Sequence, residues 1–237
     1  MLQSGGSRSE KRNTEQEYNG ATTFDTAHQA WDRLWDTEAG RMDWTTVEQD
    51  VHNIERQLAG RSVSRVLDLG CGIGRHSLFL AAHGYQVSSV DASSKAVELT
   101  QKAAREAGLA VAVRQSAMTQ LPFEDRAFDY VLAWNVIYHG DQNTVRTVLA
   151  EISRVLRPEG IFQGTMLTKR NAYFGKGREV APDTYVNDDE DEKKHAHFYC
   201  NARELAVLLH NFELLSLRQQ QQLKPGSYHW HFVAERS

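Results

Sequence analysis

The chain has 237 residues, a length that favours one elaborated domain over two independent ones. Hydrophobic residues make up 41% of it and charged residues 24%, which argues against a disordered or fibrous protein. The formal net charge of -4 removes the simplest electrostatic argument for a nucleic-acid or anionic-membrane partner, and two cysteines cannot form a disulfide framework. No apolar run is long enough to cross a bilayer. We therefore expect no nucleic-acid or membrane partner and a cytoplasmic location.

The N-terminal part divides into a polar tail and a helical cap. Residues 1–20 carry mixed charges and no apolar run, which predicts a disordered tail rather than a secretory signal. Residues 21–60 show apolar side chains at three- and four-residue spacing, and Thr45 and Glu48 have the spacing of a capping box. The two helices predicted here cover 24–39 and 45–59.

Strand and helix patterns alternate in the main domain, 61–237. Such alternation predicts right-handed crossovers and a mostly parallel sheet covered on both faces. The last two strand-like runs are joined by the turn sequence Lys-Pro-Gly-Ser and add an antiparallel C-terminal strand. The expected fold is α/β, a Rossmann-like doubly wound sheet of seven strands. The predicted strands are 63–69, 86–90, 109–114, 128–134, 161–167, 212–223 and 228–236, with helices over 75–83, 94–107, 141–156 and 202–211.

One long connection interrupts this alternation. Residues 168–197 are rich in charge and glycine and show little periodicity. Connections of this length in a compact domain are lids, binding loops or disordered segments. Because the segment leaves the carboxyl edge of the sheet, where ligands of such folds bind, we expect a lid insertion that orders over bound ligand together with residues 18–24.

A glycine-rich loop follows the first predicted strand, in the sequence VLDLGCGIGR over 66–75. Residues without a Cβ let the backbone turn tightly and approach a ligand closely. Gly70, Gly72 and Gly74 follow neither the dinucleotide spacing G-x-G-x-x-G nor the phosphate-loop pattern. Asp91 ends the next strand, where a carboxylate can accept hydrogen bonds from both hydroxyls of a ribose. The pattern indicates a nucleoside-binding loop.

Three segments, 68–74, 121–129 and 154–160, together resemble the class I S-adenosylmethionine-dependent methyltransferases, in particular their small-molecule, ubiquinone-biosynthesis-like branch. The resemblance implies S-adenosyl-L-methionine as cofactor and S-adenosyl-L-homocysteine as product. It places the ribose hydroxyls on Asp91 and the adenine beside Ala117, where the family often has an acidic residue. The implied cofactor-binding residues are Asp68, Gly70, Cys71, Gly72, Gly74, Asp91, Ala92, Ala117 and Met118.

Two further cofactor contacts are expected. Asn135 follows the fourth strand at the carboxyl edge of the sheet. Arg41 carries a guanidinium, which suits the methionine carboxylate.

Methyl transfer from a sulfonium is an in-line displacement, and alignment of donor and acceptor lowers its barrier. An oxygen or nitrogen acceptor can also need a base within hydrogen-bond reach. Tyr138 and His139, after the fourth strand, are the candidate catalytic residues, and the alternative is that they only pack against the next helix.

Substrate contacts are expected from the tail and from the 168–197 segment, whose basic and aromatic side chains suit a polar or anionic acceptor. The candidates are Tyr18, Arg170, Tyr173, Lys176, His195 and His197.

Two His-x-His pairs, His195 with His197 and His229 with His231, raise the question of a metal. Alternate residues of a strand share a face, so His229 and His231 could chelate one ion. Polar side chains at strand ends explain this pair without an ion, the segment 197–199 leads into the last helix, and no metal site is expected.

The predicted function is transfer of a methyl group to a small-molecule acceptor. The alternatives are an RNA or protein methyltransferase and a non-catalytic S-adenosylmethionine sensor that keeps the fold without the chemistry. Neither the acceptor nor the oligomeric state is encoded in a recognisable motif.

Overall fold

The computed structural model describes residues 27–189, 193–222 and 224–237. The predicted tail, with Tyr18 and the 18–24 part of the predicted cover, lies outside the described residues. Within them, no helix is long and apolar enough to cross a membrane.

Seven strands of a ten-stranded sheet follow the order β3-β2-β1-β4-β5-β10-β9, and the other three, described below, continue from the end of β5. Neighbours from β3 to β5 pair in parallel, and β10 pairs antiparallel with both β5 and β9. The predicted Rossmann-like sheet with an antiparallel C-terminal strand is therefore confirmed. The seven strands are β1 (Arg65–Leu69), β2 (Gln86–Asp91), β3 (Val111–Gln115), β4 (Phe128–Ala133), β5 (Leu156–Thr168), β9 (Phe212–Gln221) and β10 (Tyr228–Arg236).

Helices cover both faces of this sheet because its central strands are apolar on both sides. Every residue of β4 is buried, as in parallel strands packed between two helical layers. Side chains cap the helices where the sequence changes from strand to helix: Ser93, Asp141 and Asn201 each accept a hydrogen bond from the third residue that follows. The helices of the main domain are α4 (Arg75–Ala82), α5 (Ser94–Ala107), α6 (Gln142–Val155) and α7 (Ala202–Leu208).

The N-terminal helices differ from the prediction in two ways. The first predicted helix is split into α1 (Ala27–Trp35) and α2 (Glu38–Met42), because the Thr37 side chain accepts from the Gly40 N–H and begins a new helix. The predicted capping box is wrong. Thr45 donates to the Met42 carbonyl, and α3 (Gln49–Leu58) begins after Glu48, whose side chain bonds Arg75 instead of the helix.

The 168–197 segment is not an unstructured loop in its described part. It folds into β6 (Arg178–Ala181) and β7 (Thr184–Val186), an antiparallel hairpin whose turn holds Asp183 at a φ of 57°. β7 then pairs with β8 (His197–Cys200), which also continues parallel to the end of β5. Strands this short give no readable periodicity, and only Pro182-Asp183 between β-forming residues signals the turn.

Candidate functional site

A cavity of about 850 Å³ opens at the carboxyl ends of β1, β2 and β4. We call it the glycine-loop cavity. Eight of the predicted site residues line it: Gly70, Cys71, Gly72, Asp91, Ala92, Met118, Asn135 and His139.

The glycine loop forms the floor of this cavity. Its backbone is fixed by β2, since the Gly70 and Cys71 N–H groups both donate to the Val90 carbonyl, at 2.8 and 3.1 Å. Gly70 and Gly72 have φ angles of 69° and 53°, where only glycine is unstrained. A Cβ on Gly70 would lie 2.4 Å from Val136 Cγ2, and one on Gly72 3.3 Å from the Trp35 ring. Glycine at these two positions therefore lets the loop pack directly against Val136 and the Trp35 ring while it forms the floor of the cavity.

Asp91 presents a fixed carboxylate at the end of β2. Its two oxygens accept from the backbone N–H groups of Gly72 and Ser93, each at 2.9 Å. Burial raises the pKa of Asp91, while the backbone hydrogen bonds from Ser93 and Gly72 oppose that shift. Each oxygen keeps a second lone pair, so the group can accept two hydroxyls of a ribose. The donor set and the glycine floor fit the adenosyl cofactor that the resemblance implies.

Asp68 and Gly74 lie behind the cavity rather than in its lining. Asp68 is buried and accepts from the Ser77 hydroxyl at 2.6 Å, and burial raises its pKa to about 6. A Cβ on Gly74 would meet the Thr100 side chain at 2.7 Å, so this glycine allows α5 to pack against the loop. Both residues therefore support the glycine loop on the side that faces away from the cavity.

The residues available to contact the adenine and the methionine carboxylate differ from the predicted ones. Ser116 and Met118 line the cavity, whereas Ala117 between them does not. Arg41 lies outside the lining, and its guanidinium donates to the Trp35 carbonyl. Arg75 lines the cavity instead, paired with Glu48 at 3.3 Å. The sequence signal for this role of Arg75 is its position directly after Gly74, the last glycine of the loop.

Three tryptophans close the cavity on the side of α1. Trp31 stacks on Trp35 with ring centroids 5.2 Å apart and meets Trp44 edge-on at 5.3 Å. Asp32 fixes α1 in this place by accepting from the Ser93 hydroxyl at 2.5 Å. The helical spacing of Trp31 and Trp35 predicts packing, and that packing occurs on the wall of the cavity.

A second cavity of about 1210 Å³, which we call the histidine cavity, adjoins the first. The two share part of their lining, which is therefore a common wall: Trp31, Trp44, Arg75, Asn135 and His139. The other side of the histidine cavity is polar and includes Tyr138, Lys193, His197, Gln222, His229 and His231.

Asn135 lies at the centre of the common wall. It has a φ of 57°, a left-handed conformation that asparagine tolerates better than most residues. Its amide forms a reciprocal pair with that of Gln222, at 3.1 and 3.0 Å, and its Oδ1 accepts from the Thr165 hydroxyl at 2.9 Å. This network ties the end of β4 to β5 and to the residue after β9.

The candidate catalytic residues are both buried, but only His139 belongs to the common wall, and Tyr138 lines the histidine cavity alone. His139 donates through Nε2 to the Asn135 carbonyl at 3.1 Å, and its Nδ1 lies 2.8 Å from Nε2 of His195. Burial lowers the pKa of His139 well below 6.5, so its imidazole is neutral. The backbone carbonyl of Tyr138 accepts from the Phe198 N–H at 2.9 Å, which joins this segment to β8.

The predicted substrate contacts separate into two groups. His197 lines the histidine cavity, and His195 lies behind it against His139. Arg170 and Lys176 are exposed, and Tyr173 is half-buried under the Lys176 ammonium at 5.9 Å. None of these last three lines either cavity. All three precede the β6–β7 hairpin, in the turns that follow β5.

Known proteins match this chain in sequence and in fold. Residues 66–160 match the sequence pattern of a methyltransferase domain. O-methyltransferase rstn1 of Aspergillus nomiae is 34% identical over 121 residues, 48% of this chain and 52% of that protein. The ubiquinone biosynthesis O-methyltransferase of Rickettsia felis is 28% identical over 57% of this chain and 54% of its own length. The chain thus spans about half the length of each of these relatives.

A solved structure shares the fold over nearly the whole chain. It is the 1,6-didemethyltoxoflavin-N1-methyltransferase of Burkholderia thailandensis, with 1,6-didemethyltoxoflavin and S-adenosylhomocysteine bound. The TM-score is 0.68 at 24% identity, covering 90% of this chain and 88% of that one. The domain match, the sequence relatives and the strand order agree with the glycine loop and with Asp91. Residues 66–160 therefore have the sequence pattern of a methyltransferase domain, and the chain has the fold of solved S-adenosylmethionine-dependent methyltransferases.

Proposed function

We propose that this protein transfers a methyl group from S-adenosylmethionine, bound in the glycine-loop cavity, to a small-molecule acceptor in the histidine cavity. The observation that carries the proposal is the common wall, because two cavities that meet at five shared residues can hold donor and acceptor in line. The cofactor supplies an electrophilic methyl on a sulfonium.

The chain's own part in the reaction is binding and alignment. Gly70 and Gly72 let the backbone lie against the cofactor, and Asp91 accepts its ribose hydroxyls. Arg75 lies in both linings and offers the positive charge for the methionine carboxylate, the role first expected of Arg41. The tryptophans exclude water, which strengthens each of these polar contacts.

The histidine cavity suits a polar acceptor. Amide and imidazole side chains line it, together with Lys193. His139 stands between this cavity and the cofactor, but both of its ring nitrogens have protein partners. We therefore assign His139 and Tyr138 to the acceptor wall and leave the removal of a proton to another group.

The names of two similar proteins state a small-molecule substrate, which is 27-O-demethylrifamycin SV for one and 1,6-didemethyltoxoflavin for the other. Their acceptors differ in chemistry, so they support a small-molecule acceptor without identifying it. The segment around β6–β8 and the N-terminal helices line or flank the acceptor side, and such peripheral segments set substrate choice in a shared fold.

The test has a binding arm and a turnover arm. Asp91→Asn should weaken S-adenosylhomocysteine binding by about 10- to 100-fold in isothermal titration, because two buried hydroxyls lose a charged acceptor. Asp68→Asn is the matched control and should bind within a few-fold of the parent, since Asp68 lies behind the loop.

In the turnover arm, the protein is given labelled cofactor with a metabolite extract or with RNA. Label should enter the small-molecule fraction. Labelled RNA with an unlabelled metabolite fraction would contradict the proposal, and tight cofactor binding without transfer to any acceptor pool would indicate a sensor.

A further inference from the structure

Three buried histidines from two parts of the chain converge beside the common wall: His139, His195 and His197. Each offers a ring nitrogen, and these nitrogens all lie within 4.8 Å of one another. We propose that the three imidazoles bind a divalent transition-metal ion whose open coordination position faces the histidine cavity. This site replaces the expectation, drawn from sequence alone, of no metal.

The hydrogen bonds of His139 and His197 prepare both rings for a metal. His139 donates through Nε2 to the Asn135 carbonyl, and His197 donates through Nδ1 to the His195 carbonyl at 2.7 Å. Each ring therefore keeps its lone pair on the other nitrogen. Metal-binding histidines characteristically donate their second N–H to a backbone carbonyl or carboxylate, which fixes the tautomer and the orientation of the ring.

The lone pair of His197 has no partner among the residues that the structure describes. Its Nε2 is buried and makes no hydrogen bond, and Nδ1 of His195 is in the same state. A buried polar atom without a partner costs about 1 to 3 kcal/mol, so its persistence needs an explanation. A cation at the centre of the cluster accepts the His197 lone pair directly.

His195 completes the set by changing its tautomer. In the present arrangement its Nε2 donates to His139 Nδ1 at 2.8 Å. Two nitrogens bound to one tetrahedral ion at about 2.0–2.1 Å lie about 3.3–3.4 Å apart, so the rings must separate by roughly half an ångström. The His195 proton then moves to the unpartnered Nδ1, and its Nε2 lone pair turns to the ion.

The backbone holds the cluster as a rigid unit. His139 and His197 face each other across an antiparallel bridge between the segment after β4 and the start of β8. Hydrogen bonds flank the bridge on both sides, from Phe198 to Tyr138 and from Gly140 to Ala196, each at 2.9 Å. Ligands set on paired strands are positioned more precisely than ligands on free loops.

The chemistry of the ligands narrows the choice of ion. All three rings are buried, and neutral imidazole is the form of histidine that binds a metal. Imidazole ligands suit zinc, copper, iron and nickel rather than magnesium or calcium. Three neutral ligands with one open position are the pattern of a catalytic zinc site.

The open position defines a class of acceptor, a step that rests on the proposed function. Because neutral imidazoles leave the ion its two positive charges, the fourth ligand should be anionic. A hydroxyl or thiol acceptor would replace a bound water, its proton would pass to solvent, and the ionised oxygen or sulfur would bind the ion at the wall facing the cofactor cavity. The ion thus takes the place of the base that His139, with both ring nitrogens bonded, does not supply.

The experiment uses the full chain without a polyhistidine tag, depleted of metal and titrated with Zn²⁺. We expect about one equivalent bound in competition with a chelating indicator, and about 100-fold weaker binding for His195→Gln and His197→Gln. His210→Gln is the matched control, because this histidine is exposed at the end of α7 and should leave the affinity unchanged. No zinc binding by the parent, or equal binding by all variants, would overturn the proposal.

A spectroscopic arm does not depend on the variants folding. Co²⁺ added to the parent protein should give the visible bands of a tetrahedral nitrogen site, and Zn²⁺ should abolish them. S-adenosylhomocysteine binding is measured on the same samples, which separates the two proposals. Cofactor binding without metal would remove the metal site and leave the proposed function, whereas metal without cofactor binding would do the reverse.

Discussion

The glycine-loop cavity and the histidine cavity share a wall but are built in opposite ways. The first is made mainly by the residues that follow three adjacent strands, each only a few positions beyond a strand end. The second brings together residues from 139, 193–197 and 222–231, joined by cross-strand bonds. A cavity of the first kind keeps its ligand as long as the sheet is kept. A cavity of the second kind can change its ligand by changes in a few peripheral segments.

The largest effect should come from the loop of the first cavity. Gly70→Ala places a methyl group 2.4 Å from Val136 Cγ2 at a φ of 69°, so the loop must move out of the position that a ligand needs. We expect S-adenosylhomocysteine binding to fall by about 100-fold or more, because overpacking typically costs about 1–3 kcal/mol before the ligand contacts are lost.

Gly108→Ala is the matched control for that substitution. Its φ is 67° and its Cβ would meet nothing within 4 Å, so it carries the same backbone strain without the contact. Isothermal titration should show unchanged affinity and thermal melts a small loss of stability. Equal affinity of both variants would show that the loop backbone does not touch the ligand.

The glycine-loop cavity could be predicted because its signals are local. A buried strand, closely spaced glycines and an acidic residue at the end of the next strand are each readable within a few positions, and the strand order follows from chain connectivity. Even here, roles inside the motif were not readable. Asp68 supports the loop while Asp91 lines the cavity, although both are carboxylates at neighbouring strands.

The histidine cavity could not be predicted in the same way, because it forms through backbone pairings between segments that are distant in the sequence. His139 and His197 meet through a bridge between segments far apart in the chain. The start of β8 was within a stretch interpreted as a loop, since the short strands of that stretch have too few residues to show alternation. The chemistry of Arg170, Tyr173 and Lys176 suits a polar acceptor, but their spacing does not show that all three lie outside the lining of both cavities.

A second, smaller effect concerns what supports the glycine loop. Burial raises the pKa of Asp68 from 3.8 to about 6, so the folded protein binds this proton more tightly than the unfolded chain. Stability is therefore lost as pH rises between these values, by roughly 3 kcal/mol for a shift of about two units. Asp68→Asn keeps a hydrogen-bonding group and removes the charge.

The measurement is urea unfolding of the cofactor-free protein at pH values from about 4 to 7. The free energy of unfolding of the variant should increase relative to that of the parent as pH rises, by up to roughly 3 kcal/mol above pH 6. A constant difference between the two curves would mean that the carboxyl is ionised at little cost, and Asp68 would then be a charged partner of Arg75 rather than a buried support.

The smallest expected effect shows whether Arg75 or Arg41 contacts the methionine carboxylate, and it tests whether the two cavities share a wall. Arg75 lines both cavities with its guanidinium over the Trp44 ring at 5.3 Å, whereas Arg41 bonds the Trp35 carbonyl outside both. Arg75→Gln should weaken cofactor binding about tenfold, the value of one charge-assisted hydrogen bond, and should raise the KM for the acceptor. Arg41→Gln should change neither by more than a few-fold. If Arg41→Gln has the larger effect on cofactor binding, the carboxylate contact lies on α2, and the wall between the cavities carries less of the alignment than its geometry indicates.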